Sequence, residues 1–238
     1  MKIIGKNPSK SMLCAAALLL LANAAWSQEK ASTALNLAQI VERMQQHDQT
    51  QAEHLEHYQA LRHYAVEYRG FRKNIAAKMD VEITYDIGTG KSFRILSQSG
   101  SHSLCERVLK RAIDSEKEAA QNRGLTALTA ANYRFHLDGK DVVGGRPAYI
   151  LGVEPVTPNK FLYTGRIWVD AADFAVEKLD AQPAINPSFW ISRTLIHNTY
   201  AKTCGFWLPQ SNRSETKVRI GGTAILTIDY GTYKILSR

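Results

Sequence analysis

The feature that most constrains this chain is a short acidic turn flanked by two runs of alternating apolar and polar residues. Residues 165–179 read G-R-I-W-V-D-A-A-D-F-A-V-E-K-L, and the turn occupies residues 170–173. Successive side chains of a strand point to opposite faces of a sheet, so Ile167 and Val169 share one face while Trp168 lies on the other. The segment therefore predicts a β-hairpin with one buried face and one wetter face.

The same alternation recurs over most of the chain and predicts a single antiparallel sheet. Three strands are expected between Tyr64 and Ile95, and about eight more follow Asn132, because turn residues divide the alternating runs. Consecutive hairpins build one sheet, so we predict the α+β class, with a single large curled antiparallel β-sheet (a half-barrel) covered by helices. The predicted turns are Gly88-Thr89-Gly90, Asp138-Gly139, Gly144-Gly145, Cys204-Gly205 and Gly221-Gly222.

Two segments have helical periodicity instead. From Leu35 to about Tyr64, apolar residues recur three and four positions apart, although residues 47–53 are almost wholly polar. Ser101 to Gln121 shows the same spacing and ends before Gly124, and residues 125–131 can add a short second helix. We expect these helices to pack against the inner face of the sheet.

The N-terminus has the composition of an export signal. Basic residues at positions 2, 6 and 10 flank the apolar stretch 12–22, and small residues follow it. That stretch is shorter than the roughly 20 apolar residues that span a bilayer. We predict a signal peptide at residues 1–27, cut after Ser27 or Ala24, and one mature domain at residues 28–238 in the periplasm. An uncleaved N-terminal anchor is the alternative.

The cysteines leave one question open. Cys14 begins the apolar stretch, whereas the cysteine of a lipobox follows one, so no lipid anchor is predicted. Cys105 falls in a predicted helix and Cys204 in a predicted turn. Export permits a disulfide between them, and two unpaired thiols are the alternative.

Charge does not define a nucleic-acid-binding protein. The formal net charge is +8 at pH 7, but part of it lies in the predicted signal and the rest is spread thinly along the chain. Nucleic-acid binding calls for a basic stripe interleaved with stacking aromatic residues. We therefore predict no nucleic-acid partner, whereas a weak attraction to anionic lipid headgroups remains compatible with the charge.

No pattern of reactive residues predicts an enzyme or a metal site. The sequence lacks a G-x-S-x-G nucleophile motif, and hydrogen bonds within a turn explain Asp170 and Asp173. The four histidines in the predicted first helix do not show the H-E-x-x-H spacing of a zinc site, so a solvated helix surface explains them. We predict no catalytic residue, no metal and no cofactor. The histidines are His47, His54, His57 and His63.

Four short stretches resemble the LolA/LolB-like superfamily of periplasmic lipoprotein carriers. They are W-V-D at 168–170, N-P-S-F-W at 186–190, G-F-W-L-P at 205–209 and L-T-I-D-Y at 226–230. The resemblance is strongest from Tyr149 to Tyr233. It implies a curved half-barrel closed by helices around a hydrophobic cavity, which takes up the acyl chains of a lipoprotein or lipid. It implies neither catalysis nor a cofactor.

The leading hypothesis is therefore a soluble, monomeric periplasmic carrier that binds acyl chains through the inner face of the sheet. An RseB-like periplasmic sensor that binds a membrane-bound partner protein is the alternative, and an exported hydrolase is a third hypothesis. The residues expected to contact lipid are Val66, Tyr68, Val81, Ile83, Tyr85, Phe93, Ile95, Phe135, Leu151 and Ile167.

Overall fold

The computed structural model describes residues 35–71, 73–186, 188–219 and 221–236. The predicted signal peptide lies outside these residues. The chain from Asn36 onward forms one compact unit. Among the described residues, no helix has the length and apolar content needed to cross a membrane.

Ten strands form one antiparallel sheet, which confirms the predicted fold class. The strands run in the order β3-β2-β1-β10-β9-β8-β7-β6-β5-β4, so the first and last strands of the chain pair inside the sheet. β3 and β4 are its two edges, and the sheet stays open. The strands are β1 (His57–Arg69), β2 (Asn74–Asp86), β3 (Gly90–Gly100), β4 (Tyr133–Val143), β5 (Arg146–Pro155), β6 (Tyr163–Asp170), β7 (Val176–Pro183), β8 (Ile191–Thr203), β9 (Phe206–Val218) and β10 (Thr223–Ile235).

Helices flank the sheet in two groups. Helix α1 (Leu37–His54) begins at a capping box, in which Asn36 and Gln39 each accept a hydrogen bond from the other's backbone amide. The second group follows β3 and consists of α2 (His102–Leu104), a π-helical turn (Cys105–Leu109), α3 (Lys110–Gln121) and α4 (Arg123–Thr126). It occupies the predicted helical insert, with the short last helix starting and ending earlier than residues 125–131.

The first helix ends at His54, ten residues before its predicted end at Tyr64. The apolar residues Leu55, Tyr58 and Leu61 are three apart and therefore mimic a helix. In the structure Tyr58 belongs to β1, which pairs with β2 on one side and β10 on the other. The alternation that begins at Tyr58 decides the strand, because backbone pairing on both sides outweighs a weak helical spacing.

A second correction concerns Asp138-Gly139, which is not a turn. The pairing of β4 with β5 shifts register between Leu137 and Gly139, so the pair lies at an irregularity inside one long strand. Gly139 has a φ of +145°, a conformation that glycine adopts without strain. Seven strands therefore follow the helical insert, not about eight.

The sheet has one face that carries every tyrosine of the chain. Strand register places all ten on the same side, together with the buried residues of β1 and β2. We call this side the inner face. The π-helical turn and α3 bury Leu109 and Ile113 against β1, β2 and β10, and α1 buries Ile40 and Met44 over the other half, where it contacts β4. The tyrosines are Tyr58, Tyr64, Tyr68, Tyr85, Tyr133, Tyr149, Tyr163, Tyr200, Tyr230 and Tyr233.

Candidate functional site: the inner face of the sheet

The inner face contains one buried cation. Arg62 occupies a position of β1 where the alternation Tyr58, Ala60, Tyr64 otherwise places apolar side chains, and its side chain is 1% exposed. It lies where the pairing of β1 with β10 shifts register. An unpaired charge in such a place would cost several kcal/mol, so the arginine requires a partner.

Glu116 of α3 is that partner. Its carboxylate accepts two hydrogen bonds from the Arg62 guanidinium, at 2.6 and 3.3 Å, and a third from Lys91 Nζ of β3 at 2.8 Å. Burial alone would lower the pKa of Arg62, but the charge of Glu116 outweighs this and holds it above its usual value. Burial would likewise raise the pKa of Glu116, whereas Lys91 and Arg62 hold it below its usual range. This trio ties the helical insert to two strands.

Aromatic rings surround the same guanidinium. Arg62 lies over the ring of Tyr230 at 4.6 Å and over that of Phe93 at 5.9 Å, which are cation–π distances. Arg62 Nε has no hydrogen-bond partner among the described residues. One donor in the centre of the inner face is therefore unsatisfied by the protein groups described.

The tyrosines between the two helical groups form an uncharged surface. Burial raises the pKa of Tyr200 to about 12, and it also raises the pKa of Tyr163 and Tyr230 above its usual value. All three side chains are only half-buried, so part of each ring is accessible on the inner face. Their hydroxyls stay protonated near neutral pH, and the surface offers apolar ring area with neutral hydrogen-bonding groups.

Two grooves border the helices. One, of about 540 Å³, lies between α1 and β4, with Leu37, Val41, Tyr133 and Phe135 in its walls. The other, of about 780 Å³, separates α3 from the β2–β3 turn and has Phe93 beside the Lys91–Glu116 ion pair. Both volumes fall within the range of small-ligand sites. The α1–β4 groove has the more apolar walls.

The acidic hairpin turn is a second polar cluster, on β6 and β7. Asp170 Oδ1 accepts hydrogen bonds from the amides of Ala172 and Asp173, which confirms the predicted turn chemistry for Asp170. The prediction is wrong for the Asp173 carboxylate, which bonds to side chains outside the turn. Arg146 Nε donates to Asp170 at 2.6 Å and Arg146 Nη2 donates to Asp173 at 3.1 Å. Asp173 also accepts hydrogen bonds from Lys202 Nζ at 2.8 Å and from the indole of Trp207 at 3.0 Å. The turn is thus tied to β5, β8 and β9.

Glu177 lies buried next to this turn. Burial and the neighbouring Asp170 carboxylate raise the pKa of Glu177 to about 7. Burial would raise the pKa of Asp170 as well, but hydrogen bonds from Arg146 and from the turn amides lower it to about 2. The two carboxyls therefore titrate far apart, and one of them carries a proton at mildly acidic pH.

The residues expected to contact lipid divide into three environments. Those of β1 and β2 lie in or against the core beneath the helical insert, and Leu151 and Ile167 are fully buried in the other half of the sheet. Ile95 lies exposed on edge strand β3. Phe135 lines the α1–β4 groove, and Phe93 and Tyr85 line the α3 groove. Lipid contact by these residues stays a prediction, and the fully buried ones need a movement of the helices before a ligand can reach them. The residues of β1 and β2 are Val66, Tyr68, Val81, Ile83 and Tyr85, and Tyr85 belongs to both the core and the groove lining.

Sequence reasoning missed Arg62, Glu116 and Lys91. A signal for Arg62 was available, because an arginine in an otherwise apolar register of an alternating strand is unusual. No comparable signal marks Glu116, since it stands in a run of charged residues on α3. Its role depends on the packing of that helix onto β1.

The cysteines and histidines form no site within the described part of the chain. Cys105 is buried and Cys204 is exposed, and each is a free thiol. His47 and His54 lie on α1, but His57 and His63 belong to β1, which corrects their placement on the first helix. Residues 35–236, apart from the three positions left undescribed, contain no group of three or more His, Cys, Asp or Glu side chains arranged to hold a metal ion.

No family model matches the chain, and no curated protein matches its sequence. Solved structures do match. A DUF1329 family protein from Desulfovibrio piger is 14% identical, with 83% of this chain and 93% of that chain covered and a TM-score of 0.42. A putative outer membrane lipoprotein-sorting protein domain from Vibrio parahaemolyticus is 10% identical, with 83% of this chain and 92% of that chain covered and a TM-score of 0.40. A LolA superfamily protein from Nitrosomonas europaea is 12% identical, with 86% of this chain and 96% of that chain covered and a TM-score of 0.36.

These are likenesses of fold alone. The open antiparallel sheet with few helices that the sequence predicts is observed in the structure itself. With every TM-score below 0.5, the comparisons carry no argument about function. A functional proposal has to rest on the inner face itself.

Proposed function

We propose that this chain is a non-catalytic periplasmic carrier that binds the acyl chains of lipoproteins or lipids between the inner face and the flanking helices. The observation that carries the proposal is the groove between α1 and β4, whose lining is apolar except for the α1 side chains Glu42, Gln45, Gln46 and Gln49. Aliphatic Leu37 and Val41 face the rings of Tyr133 and Phe135 across it. An acyl chain placed there would exchange water for apolar contacts, at about 0.8 kcal/mol per buried CH₂ group.

The half-buried tyrosines support the same assignment. Tyr163, Tyr200 and Tyr230 lie on the inner face between the two helical groups and bear neutral hydroxyls. Such a surface suits a ligand that is mainly hydrocarbon with a few ester or amide groups to accept hydrogen bonds. Among the described residues, the buried cation Arg62 is already paired with Glu116 and offers no free charge to an anionic headgroup. The hydrocarbon part of the ligand would therefore supply most of the contact.

Acyl-probe binding with a groove-filling variant tests this proposal. Ala38 is exposed on α1 and lines the groove, whereas Ala52 is exposed on the same helix outside it. We expect the delipidated protein to bind a fluorescent fatty acid, Ala38→Trp to weaken that binding about tenfold, and Ala52→Trp to leave it unchanged. No uptake by the unaltered protein, or equal uptake by both variants, contradicts the proposal. Recovery of a membrane-bound protein partner without any lipid would favour the sensor alternative.

A further inference from the structure

Three loops meet at one end of the sheet. The described residues of the β1–β2 turn (70, 71 and 73), the β7–β8 loop (184–186 and 188–190) and the β9–β10 turn (219, 221 and 222) are neighbours because their strands are joined in register. Arg69 pairs with Thr223, Thr223 pairs with Lys217, and Val218 pairs with Ile191. We call this end, with its three loops, the aromatic end.

Large aromatic side chains project from these loops into solvent. Phe71 is 97% exposed, Phe189 74% and Trp190 54%. Ile185 in the same β7–β8 loop is also exposed. Single exposed apolar residues are common, but several that share one surface mark an interaction site. They lie at the opposite end of the sheet from the acidic hairpin turn.

Backbone contacts join the three aromatic side chains into one patch. The Arg219 amide donates to the Trp190 carbonyl at 2.8 Å, and Arg219 Nε donates to the Phe189 carbonyl at 2.7 Å. The rings of Phe189 and Trp190 meet edge to face, with centroids 5.5 Å apart. On the other side, a Cβ added to Gly221 would lie 3.9 Å from Phe71 Cβ. Phe71 therefore lies beside Gly221, and the Phe189–Trp190 pair beside Arg219, in the same β9–β10 turn.

The charges around the patch have one sign. Residues 70–74, 184–193 and 217–223 contain no aspartate or glutamate. Four cationic side chains in these ranges are exposed, namely Lys73, Arg193, Lys217 and Arg219. The rest of the surface mixes both signs, as in the exposed pairs Arg94–Glu82 and Lys160–Glu118. The aromatic end therefore complements an anionic surface.

The geometry points to a lipid bilayer as that surface. The rings belong to two separate loops and are exposed to solvent. Aromatic rings favour the level of the lipid headgroups, and flanking lysines and arginines are attracted to anionic lipid. We propose that the aromatic end docks this protein on bilayers that contain anionic phospholipids, with Phe71, Phe189 and Trp190 inserted among the headgroups. No residue of the α1–β4 groove takes part, so the two proposals stand or fall separately.

Vesicle flotation tests the docking. Protein produced from the full-length gene is mixed with vesicles of phosphatidylcholine alone or with added phosphatidylglycerol. Phe189→Ser combined with Trp190→Ser removes the larger part of the patch, and Val142→Ser removes an exposed apolar side chain at the opposite end of the sheet as a matched control. All variants share one N-terminus, and circular dichroism checks their folding.

We expect the unaltered protein and Val142→Ser to float with the phosphatidylglycerol vesicles, and the double variant to lose at least five-sixths of the bound fraction. Binding to phosphatidylcholine alone should be several-fold weaker. Absence of flotation of the unaltered protein overturns the proposal. So does equal flotation of the folded double variant.

Quenching by brominated lipid gives a second readout that does not depend on the loss of binding. Of the three tryptophans among the described residues, Trp168 and Trp207 are buried and Trp190 is exposed at the proposed contact. The fourth tryptophan of the sequence, Trp26, is replaced by phenylalanine in every sample. Trp190→Phe keeps an aromatic ring and should still bind, but it should lose most of the lipid-dependent quenching of tryptophan fluorescence. Equal quenching in the unaltered protein and in Trp190→Phe would show that Trp190 does not enter the bilayer, and would overturn the proposal.

Discussion

Arg62 and Glu116 form a bidentate ion pair that joins the first strand of the sheet to helix α3, with the shorter contact at 2.6 Å. The arginine is buried and the carboxylate is only partly shielded. Removing the carboxylate leaves a buried cation that Lys91 cannot compensate. Removing the arginine leaves a carboxylate that keeps Lys91 and some water. Loss of Glu116 should therefore destabilise the fold more than loss of Arg62.

We expect Glu116→Ala to lower the free energy of unfolding by about 2–4 kcal/mol, and Arg62→Met to lower it by less, because methionine fills the space without a charge. The double variant should be more stable than Glu116→Ala alone. Urea unfolding of the three variants measures this order. A Glu116→Ala protein that is as stable as the unaltered chain would show that the ion pair contributes little to the free energy of unfolding.

The titration of Glu177 gives a pH-dependent prediction. Its pKa of about 7 exceeds the value of the unfolded chain, so the folded protein holds a proton that the unfolded chain releases near pH 4.5. Stability contributed by this group is full below about pH 4.5 and declines as the pH rises toward 7. The lowered pKa of Asp170 acts in the opposite direction, and its contribution is lost as the pH falls from 3.8 toward 2.

Glu177→Gln should remove the decline between pH 4.5 and 7 and raise stability at pH 7.5 by roughly 1–2 kcal/mol. Glu154→Gln, at an exposed position on β5, is the matched control and should leave the pH profile unchanged. Thermal unfolding at pH 5.0 and pH 7.5 gives the comparison. Parallel profiles for Glu177→Gln and the unaltered protein would rule out the proton on Glu177.

Gly165 tests the hairpin from which the sequence analysis began. A Cβ added to it would lie 2.3 Å from the Asp180 carbonyl oxygen and 2.6 Å from Ala181 Cα, both on the paired strand β7. Backbone cannot move aside as a flexible side chain can, so Gly165→Ala should cost about 1–3 kcal/mol.

Gly124 is the control, because a Cβ added there meets no atom within 4 Å and the residue lies in α4. Gly124→Ala should be neutral or stabilising by up to about 1 kcal/mol. Urea midpoints of both variants decide the matter. A Gly165→Ala protein with the same midpoint as Gly124→Ala would mean that β6 and β7 are not packed this closely.

The thiols provide a simple check of the fold. Cys204 is exposed in the β8–β9 turn, and Cys105, on the π-helical turn, is buried in the core between that turn and the sheet. A thiol reagent should modify Cys204 within seconds in the native protein and Cys105 only after unfolding. Cys204→Ser should abolish the rapid reaction. Absence of any rapid reaction before reduction, and its appearance afterwards, would indicate a disulfide instead.

Local alternation was enough to predict the open antiparallel sheet. The inward positions Tyr64, Val66 and Ile167 are buried as their register requires. The predicted element boundaries were wrong where one spacing fits both a helix and a strand, as at Leu55 and Tyr58. They were also wrong where a turn dipeptide marks an irregularity inside a strand, as at Gly139.

The polar features of the site depend on contacts between residues far apart in sequence. Arg62 and Glu116 are separated by 54 positions, and Arg146 and Asp170 by 24. Neither separation follows from hydrophobic periodicity, which reports only which face of an element is buried. Tertiary packing alone brings these charges together. The sequence could therefore predict the open sheet, but not the ion pairs that join α3 to β1 and the acidic turn to β5.

Photoaffinity labelling tests the central claim, that acyl chains bind between α1 and β4. The delipidated protein is incubated with a fatty acid that carries a photoreactive group near its methyl end, and labelled peptides are mapped by mass spectrometry. We predict labels on residues 37–49 and 130–135, which form the groove walls, and their loss in Ala38→Trp. Labels confined to the outer face, such as the peptide around Leu195, or no labelling at all, would contradict the account.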